Sequence, residues 1–202
     1  MRIAVGLGLA VLVASGILVA AVMLTGGGAA AAFRGSRPPE GILLPSFSLN
    51  DEEGATVRSA DLRGKAVVVT FLDAQCTDAC PIVAGELARA IDELPADERA
   101  KVVVLGISTD PAEDTPEVVD AFLARHGATG RLSYLTAPQE AMEPVWDAFK
   151  ILPTARTGDD SLHSIPVQIY DTAGEWRSTL TVGADLTRRN LLHDVRLAAS
   201  EG

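Results

Sequence analysis

The stretch KAVVVTFLDAQCTDACP, residues 65–81, decides the fold. Its first half, Lys65–Leu72, is an unbroken run of apolar and β-branched residues, the pattern of a strand buried on both faces of a sheet. The character changes at Asp73, and the stretch closes on Cys80-Pro81. Proline lacks a backbone N–H and has a fixed φ, so it suits the first turn of a helix and not its interior. A helix is therefore predicted to begin near Cys80, and Ile82, Val83, Leu87, Ile91 and Leu94 continue it at helical period. Both cysteines then fall at the carboxyl end of a buried strand, where open α/β sheets hold their ligands.

Working outward, Lys101–Ile107 (KVVVLGI) repeats the buried-strand pattern. Asp114-Thr115-Pro116-Glu117 reads as a helix start, with Asp114 and Thr115 as caps and Val118, Val119, Phe122 and Leu123 as its apolar face. Leu132–Leu135 reads as a short strand and Met142–Phe149 as a helix. Val167–Tyr170 and Ser178–Val182 flank a turn at Asp171-Thr172-Ala173-Gly174, and a last helix runs from Leu186 to about Ala198. Upstream, Phe47–Asn50 and Ala55–Arg58 make a short hairpin around Asp51-Glu52-Glu53-Gly54. Strands alternating with helices, then an antiparallel pair and a helix, predict an α/β fold with a mixed central sheet and helices on both faces.

The 202 residues suit one domain behind an extension. Ile3–Leu24 holds 22 residues without a charge. As a helix it would rise about 33 Å, enough for a hydrocarbon core of about 30 Å, and it exceeds the apolar core of about 7–15 residues in a cleaved signal. It reads as an uncleaved transmembrane anchor that leaves the following domain on the extracytoplasmic side. The predicted organisation is residues 1–25 as hydrophobic anchor or signal segment, 26–42 as a flexible Gly-, Ala- and Pro-rich linker, and 43–202 as the domain. No acidic residue precedes Glu40; once residues 1–37 are set aside, 14 Lys and Arg face 27 Asp and Glu, a net charge of −13. That charge repels phosphate backbones and excludes a nucleic-acid partner. Two cysteines in the whole chain exclude a disulfide-dense scaffold and a four-cysteine metal site.

Cys76 and Cys80 carry the chemistry. Unpaired N–H groups and the positive dipole end of a helix N-terminus favour thiolate over thiol, while Asp78 opposes them as a nearby negative charge. Four residues apart, the cysteines can bring their Cα atoms within the roughly 4.4–6.8 Å that a disulfide needs. The pair can thus hold protons, a disulfide or a soft metal, and two thiolates suit Cu(I). As a staple it would be inefficient, because a bridge over three intervening residues removes little chain entropy. His126 reads as a helix end and His193 as part of the solvated face of the last helix.

At these residues the sequence resembles a known family. FLDAQCTDACP, residues 71–81, is similar to the CxxxCP signature of the SCO/SenC family of copper-binding, thioredoxin-fold assembly factors. GISTDPAEDTPEVVDAFL (106–123) and HSIPVQIYDTAG (163–174) resemble the family's later blocks in the expected order, and the likeness runs over roughly residues 43–198. It implies a thioredoxin-like fold, copper held by Cys76, Cys80 and His163, and a task at the binuclear CuA site of cytochrome c oxidase. That task is delivering copper to the site or keeping its cysteines reduced. The implied partner is the CuA-bearing subunit or another copper protein. The alternative is a membrane-tethered thiol–disulfide oxidoreductase in which Cys76 attacks and Cys80 resolves. The chain departs from the family pattern at Asp73 and Ala74, where an aromatic residue and Thr are usual, at Thr77, where Pro is common, and at Leu162, where Asp is typical.

Overall fold

The computed structural model describes residues 32–154 and 165–201. Strands β1 (Ser48–Asn50) and β2 (Thr56–Arg58) form the expected antiparallel hairpin, with Leu49 opposite Val57. The remaining strands, β3 (Ala66–Leu72), β4 (Val102–Ser108), β5 (Ser133–Leu135), β6 (Val167–Tyr170) and β7 (Trp176–Leu180), make a five-stranded sheet in the order β5-β4-β3-β6-β7. β3, β4 and β5 run parallel to one another, whereas β6 is antiparallel to β3 and β7 to β6. The helices are α1 (Ala79–Glu93), α2 (Ala96–Arg99), α3 (Pro116–Arg125), α4 (Gln139–Phe149) and α5 (Arg188–Ser200). A parallel β3–α1–β4 unit, an antiparallel β6–β7 pair and a closing helix are the parts of a thioredoxin-like fold.

All seven residues of β3 are buried, as its unbroken apolar run requires. Pleating sends them alternately to the two faces. Ala66, Val68 and Leu72 join Val83 and Leu87 of α1, Val119 and Phe122 of α3 and Leu191 and Val195 of α5. Val67, Val69 and Phe71 join Phe47 and Leu49 of the hairpin segment and Met142, Val145, Trp146 and Phe149 of α4. Helices therefore cover both faces, as expected.

Helix α4 and strand β7 differ from expectation for local reasons. Helix α4 starts at Gln139, three residues early, and carries Pro144 in its interior. Burial of its apolar stripe outweighs the one helical hydrogen bond that proline cannot make. Strand β7 starts at Trp176 because the preceding turn is tight: Asp171 Oδ1 accepts from the amides of Ala173 (3.0 Å) and Glu175 (2.9 Å), so extended pairing resumes at once.

Unpaired sheet edges invite association, and both edges of this sheet are covered. Along β5, Tyr134 N–H donates to the Glu52 carboxylate (2.7 Å), and Thr136 exchanges backbone bonds with Asn50. Along β7, Ser36 and Thr179 exchange bonds at 2.9 Å, and Trp176 N–H reaches the Ile42 carbonyl at 2.8 Å. The amides of Arg34 and Gly35 donate to the buried Asp194 carboxylate at 2.8 and 3.0 Å. Within the stretch expected to be a linker, residues 34–42 are thus bonded to β7 and α5. Among the described residues no helix is long and apolar enough to cross a membrane, and Ile3–Leu24 lies outside them.

Candidate functional site

β3 delivers the chain to Leu72 at the carboxyl end of the sheet; a six-residue loop, 73–78, follows before α1 begins. Cys80 occupies the first turn of α1 and is fully buried, while Cys76 sits on the loop and keeps 6% of its surface exposed. Both are thiols. The Cys76 side chain hydrogen-bonds Cys80, and this bond, followed by burial, holds the Cys80 thiol far above the ordinary thiol range. The backbone of Asp73 pulls the other way without prevailing. The helix N-terminus thus does not make Cys80 the ready thiolate that its position alone suggests. Among the described residues, neither Asp78 nor Thr115 caps its helix through the side chain.

The loop is held from beneath. Asp73 is buried; its Oδ1 accepts from Gln75 N–H (2.8 Å) and its carbonyl from Cys76 N–H (3.1 Å). Asp114, expected as a helix cap, instead points into the protein. It accepts from Ala74 N–H (2.9 Å), Ser108 Oγ (2.6 Å) and Tyr134 Oη (2.7 Å), tying the cysteine loop to the ends of β4 and β5. Tyr134 Oη also lies 3.0 Å from the Leu72 carbonyl. It has one proton to share between this carbonyl and the Asp114 carboxyl. Burial pushes that carboxyl from 3.8 up to about 6, against the pull of the three hydrogen bonds. The sequence signal favoured a cap because Asp-Thr-Pro is a local helix-start pattern. The inward role depends on Tyr134, 20 residues further along the chain, and has no local signature.

Thr109 braces the same corner, donating from its N–H (2.8 Å) and Oγ1 (3.2 Å) to the Leu72 carbonyl. Trp146, fully buried on α4, donates from Nε1 to the Ser108 carbonyl at 2.8 Å, pinning the end of β4.

A cleft of about 640 Å³ opens beside Cys76. Cys76, Thr77 and Pro81 line one side and Val118, Ala121, Phe122 and His126 of the α3 segment line the other. His126 ends α3 as expected, but its ring packs on Phe122 (4.8 Å between centroids), and burial, with Arg125 beside it, lowers its pKa. His193 departs from expectation: its Nδ1 lies 2.8 Å from Asp194 Oδ1. His163 lies outside the described residues, which resume at Ile165. Gln168 of β6 pairs with Val69, antiparallel, so the chain enters β6 from the end of the sheet at which β3 leaves for Cys76. Among the described residues no group of three or more His, Cys, Asp or Glu side chains is arranged to hold a metal ion.

The sequence profile of the SCO1/SenC family matches residues 36–199. The chain belongs to the SCO1/SenC family. This SCO1/SenC chain is similar to the mitochondrial protein SCO2 of Saccharomyces cerevisiae, at 30% identity over 141 residues, or 66% of this chain and 46% of that one. It is also similar to peroxiredoxin Bcp of Escherichia coli K12, at 41% identity over 73 residues, or 36% of this chain and 45% of that one. Among solved structures, copper-bound ScoI of Bradyrhizobium japonicum matches with a TM-score of 0.59 at 22% identity, covering 78% of this chain and 99% of that one. At that identity the likeness is one of fold. The chain spans about half the length of the curated relatives it matches.

Proposed function

We propose that this protein is a copper metallochaperone in which Cys76, Cys80 and His163 hold the ion as cargo. One observation carries the reading: loop and helix bring two thiols into hydrogen-bonded contact at the carboxyl end of β3. Two sulfurs suit Cu(I), and an imidazole nitrogen would let the same site accept Cu(II). The recipient is the CuA-bearing subunit of cytochrome c oxidase or another copper protein, in keeping with the family. Residues 3–24 tether the domain to a membrane on its extracytoplasmic side. Both thiols must lose their protons when copper binds, so loading strengthens as pH rises, and Cys80, whose thiol is held high by its contact with Cys76 and by burial, contributes to that dependence.

The test is a Cu(I) titration of the full, reduced chain in detergent against a competing chelator. One equivalent should bind; Cys76→Ser or Cys80→Ser should weaken binding at least about 100-fold, and His163→Ala about tenfold. Binding no tighter than that of the double-cysteine variant would refute the reading.

The contact between the two thiols also favours a second reading, a thiol–disulfide oxidoreductase. In that case Cys76 attacks a partner disulfide, its sulfur forms a mixed disulfide and one partner sulfur leaves as thiolate. Cys80 then displaces the second, closing the Cys76–Cys80 bridge as the partner gains two electrons. Fast disulfide reduction without copper binding would select it.

A further inference from the structure

The two sulfurs differ in access. Cys76 forms part of the cleft wall, whereas Cys80 is fully buried behind it. The opposite wall follows α3 from Glu117 to His126, nine residue steps or about 13 Å, the length of roughly four extended residues at about 3.3 Å each. Val118, Ala121 and Phe122 give this wall an apolar middle. Its ends carry opposite charge, Glu117 at one and Arg125 at the other. Because β3 and β4 are parallel, α3 starts at the end of the sheet that holds the cysteine loop, so Glu117 lies toward Cys76. Asp78 and Glu113, both exposed, add negative charge there, and Glu113 accepts from Gln75 Nε2 at 3.2 Å.

We propose that the cleft is a docking groove for an extended, cysteine-bearing segment of the acceptor, which meets Cys76 first and carries a basic residue beside its own cysteine. The inference rests on the reading that the cysteine pair hands on copper or electrons, and it adds the surface and the charge of the partner. Val118, Ala121 and Phe122 receive the segment's apolar side chains. The acidic end steers a lysine or arginine into register and rejects an acidic neighbour, the work that rim charges do through association rates.

Two eight-residue peptides test it, identical except that lysines or glutamates flank a single cysteine activated as its mixed disulfide with 5-thio-2-nitrobenzoate. The full reduced chain is used in detergent. Cys76 thiolate attacks the peptide sulfur, a protein–peptide disulfide forms and the coloured thiolate leaves with the bonding electrons. Cys80 then attacks Cys76, the Cys76–Cys80 bridge forms and the peptide leaves as thiol, so the pair is oxidised by two electrons and the activated peptide reduced.

The lysine peptide should react at least about tenfold faster at low salt, with the advantage shrinking as salt rises. Glu117→Lys should reverse the preference. Ala121→Trp should slow the peptide about tenfold or more and slow the small reagent 5,5′-dithiobis(2-nitrobenzoate) far less. In Cys80→Ser the peptide should remain on Cys76, located by mass spectrometry. Equal rates for the two peptides, an unmoved preference in Glu117→Lys, or peptide attached first to Cys80 would overturn the docking groove. Copper titration of the parent chain separates the two ideas: stoichiometric copper with no peptide preference sinks the groove alone, and a preference without copper binding sinks the chaperone reading alone.

Discussion

A chain carrying Asp114→Asn should be more stable than its parent at pH 7 and no more stable near pH 4. The Asp114 carboxyl keeps 2% of its surface exposed and has its pKa raised from 3.8 to about 6, chiefly by burial. Well below pH 3.8 the acid is protonated in folded and unfolded chains alike, and its contribution is intact. Between pH 3.8 and about 6 the unfolded chain gives up this proton while the folded chain retains it. Stability therefore falls as pH rises, by about 1.4 kcal/mol per unit, and by about 3 kcal/mol in all once pH exceeds 6. Asparagine has the shape of the protonated acid and no charge to bury. Its Oδ1 can accept from Ala74 N–H, and its Nδ2 can donate to Tyr134 Oη, leaving the tyrosine proton for the Leu72 carbonyl.

The assay is urea unfolding of residues 32–202 at half-unit steps from pH 4 to pH 8, followed by tryptophan fluorescence. With m near 2 kcal/mol per molar, the midpoint of Asp114→Asn should run about 1.5 M above the parent at pH 7 and converge with it toward pH 4. Using the difference between the two chains cancels every other titrating group. A gap that stays constant across the range, or an asparagine chain less stable at pH 7, would refute the reasoning that burial raises the Asp114 carboxyl and sets its charge against folding above pH 6.

Gly35→Ala should destabilise the domain by about 2–3 kcal/mol, lowering its melting temperature by about 5–10 °C in calorimetry. Its Cβ would lie 2.3 Å from Ser178 Oγ and 2.5 Å from the Thr179 carbonyl, so the segment 33–42, a strap along β7, must lift and Asp194 loses its two amide donors. A chain beginning at Pro38 lacks the same donors and should show a loss of similar size. Gly106→Ala should cost less, about 1–2 kcal/mol in urea unfolding. There the added Cβ meets the tips of Leu72 (2.7 Å) and Leu132 (3.1 Å), which can turn aside as backbone cannot.

What the sequence made legible is what local patterns encode. The unbroken runs at 65–72 and 101–107 specify central strands because a continuous apolar run calls for burial on both faces; all seven residues of β3 and the last five of β4 are buried. Pro81 and Pro116 mark helix starts because a missing N–H is harmless there. Cys76 and Cys80 were identifiable from their place between strand and helix. What stayed hidden depends on residues distant in the chain. Asp114 and Asp194 look like ordinary acids on helices, and only the fold supplies Tyr134 and Ser108 to one and Arg34, Gly35 and Ser178 to the other. His126 reads as a helix end on any wheel, and its place in the cysteine cleft follows from how α3 lies against the loop. The backbone bonds of the strap had no signature because Gly, Ala and Pro are common both to free tethers and to edge-hugging segments.

The inequality of the two sulfurs follows from helical phase. Positions 80, 83, 84, 87 and 91 fall at i, i+3, i+4, i+7 and i+11 on α1, and all are buried, so Cys80 is a core residue by the same periodicity that buries Val83 and Leu87. Had the helix continued backward, Cys76 at i−4 would share that fate. Instead α1 starts at Ala79, Asp78 leaves helical geometry at φ −110° and ψ −91°, and Cys76, though also buried, keeps 6% of its surface exposed. The break swings Cys76 out to the cleft while four residues of chain still let its sulfur meet Cys80. Cys76 thereby lines the cleft and Cys80 does not.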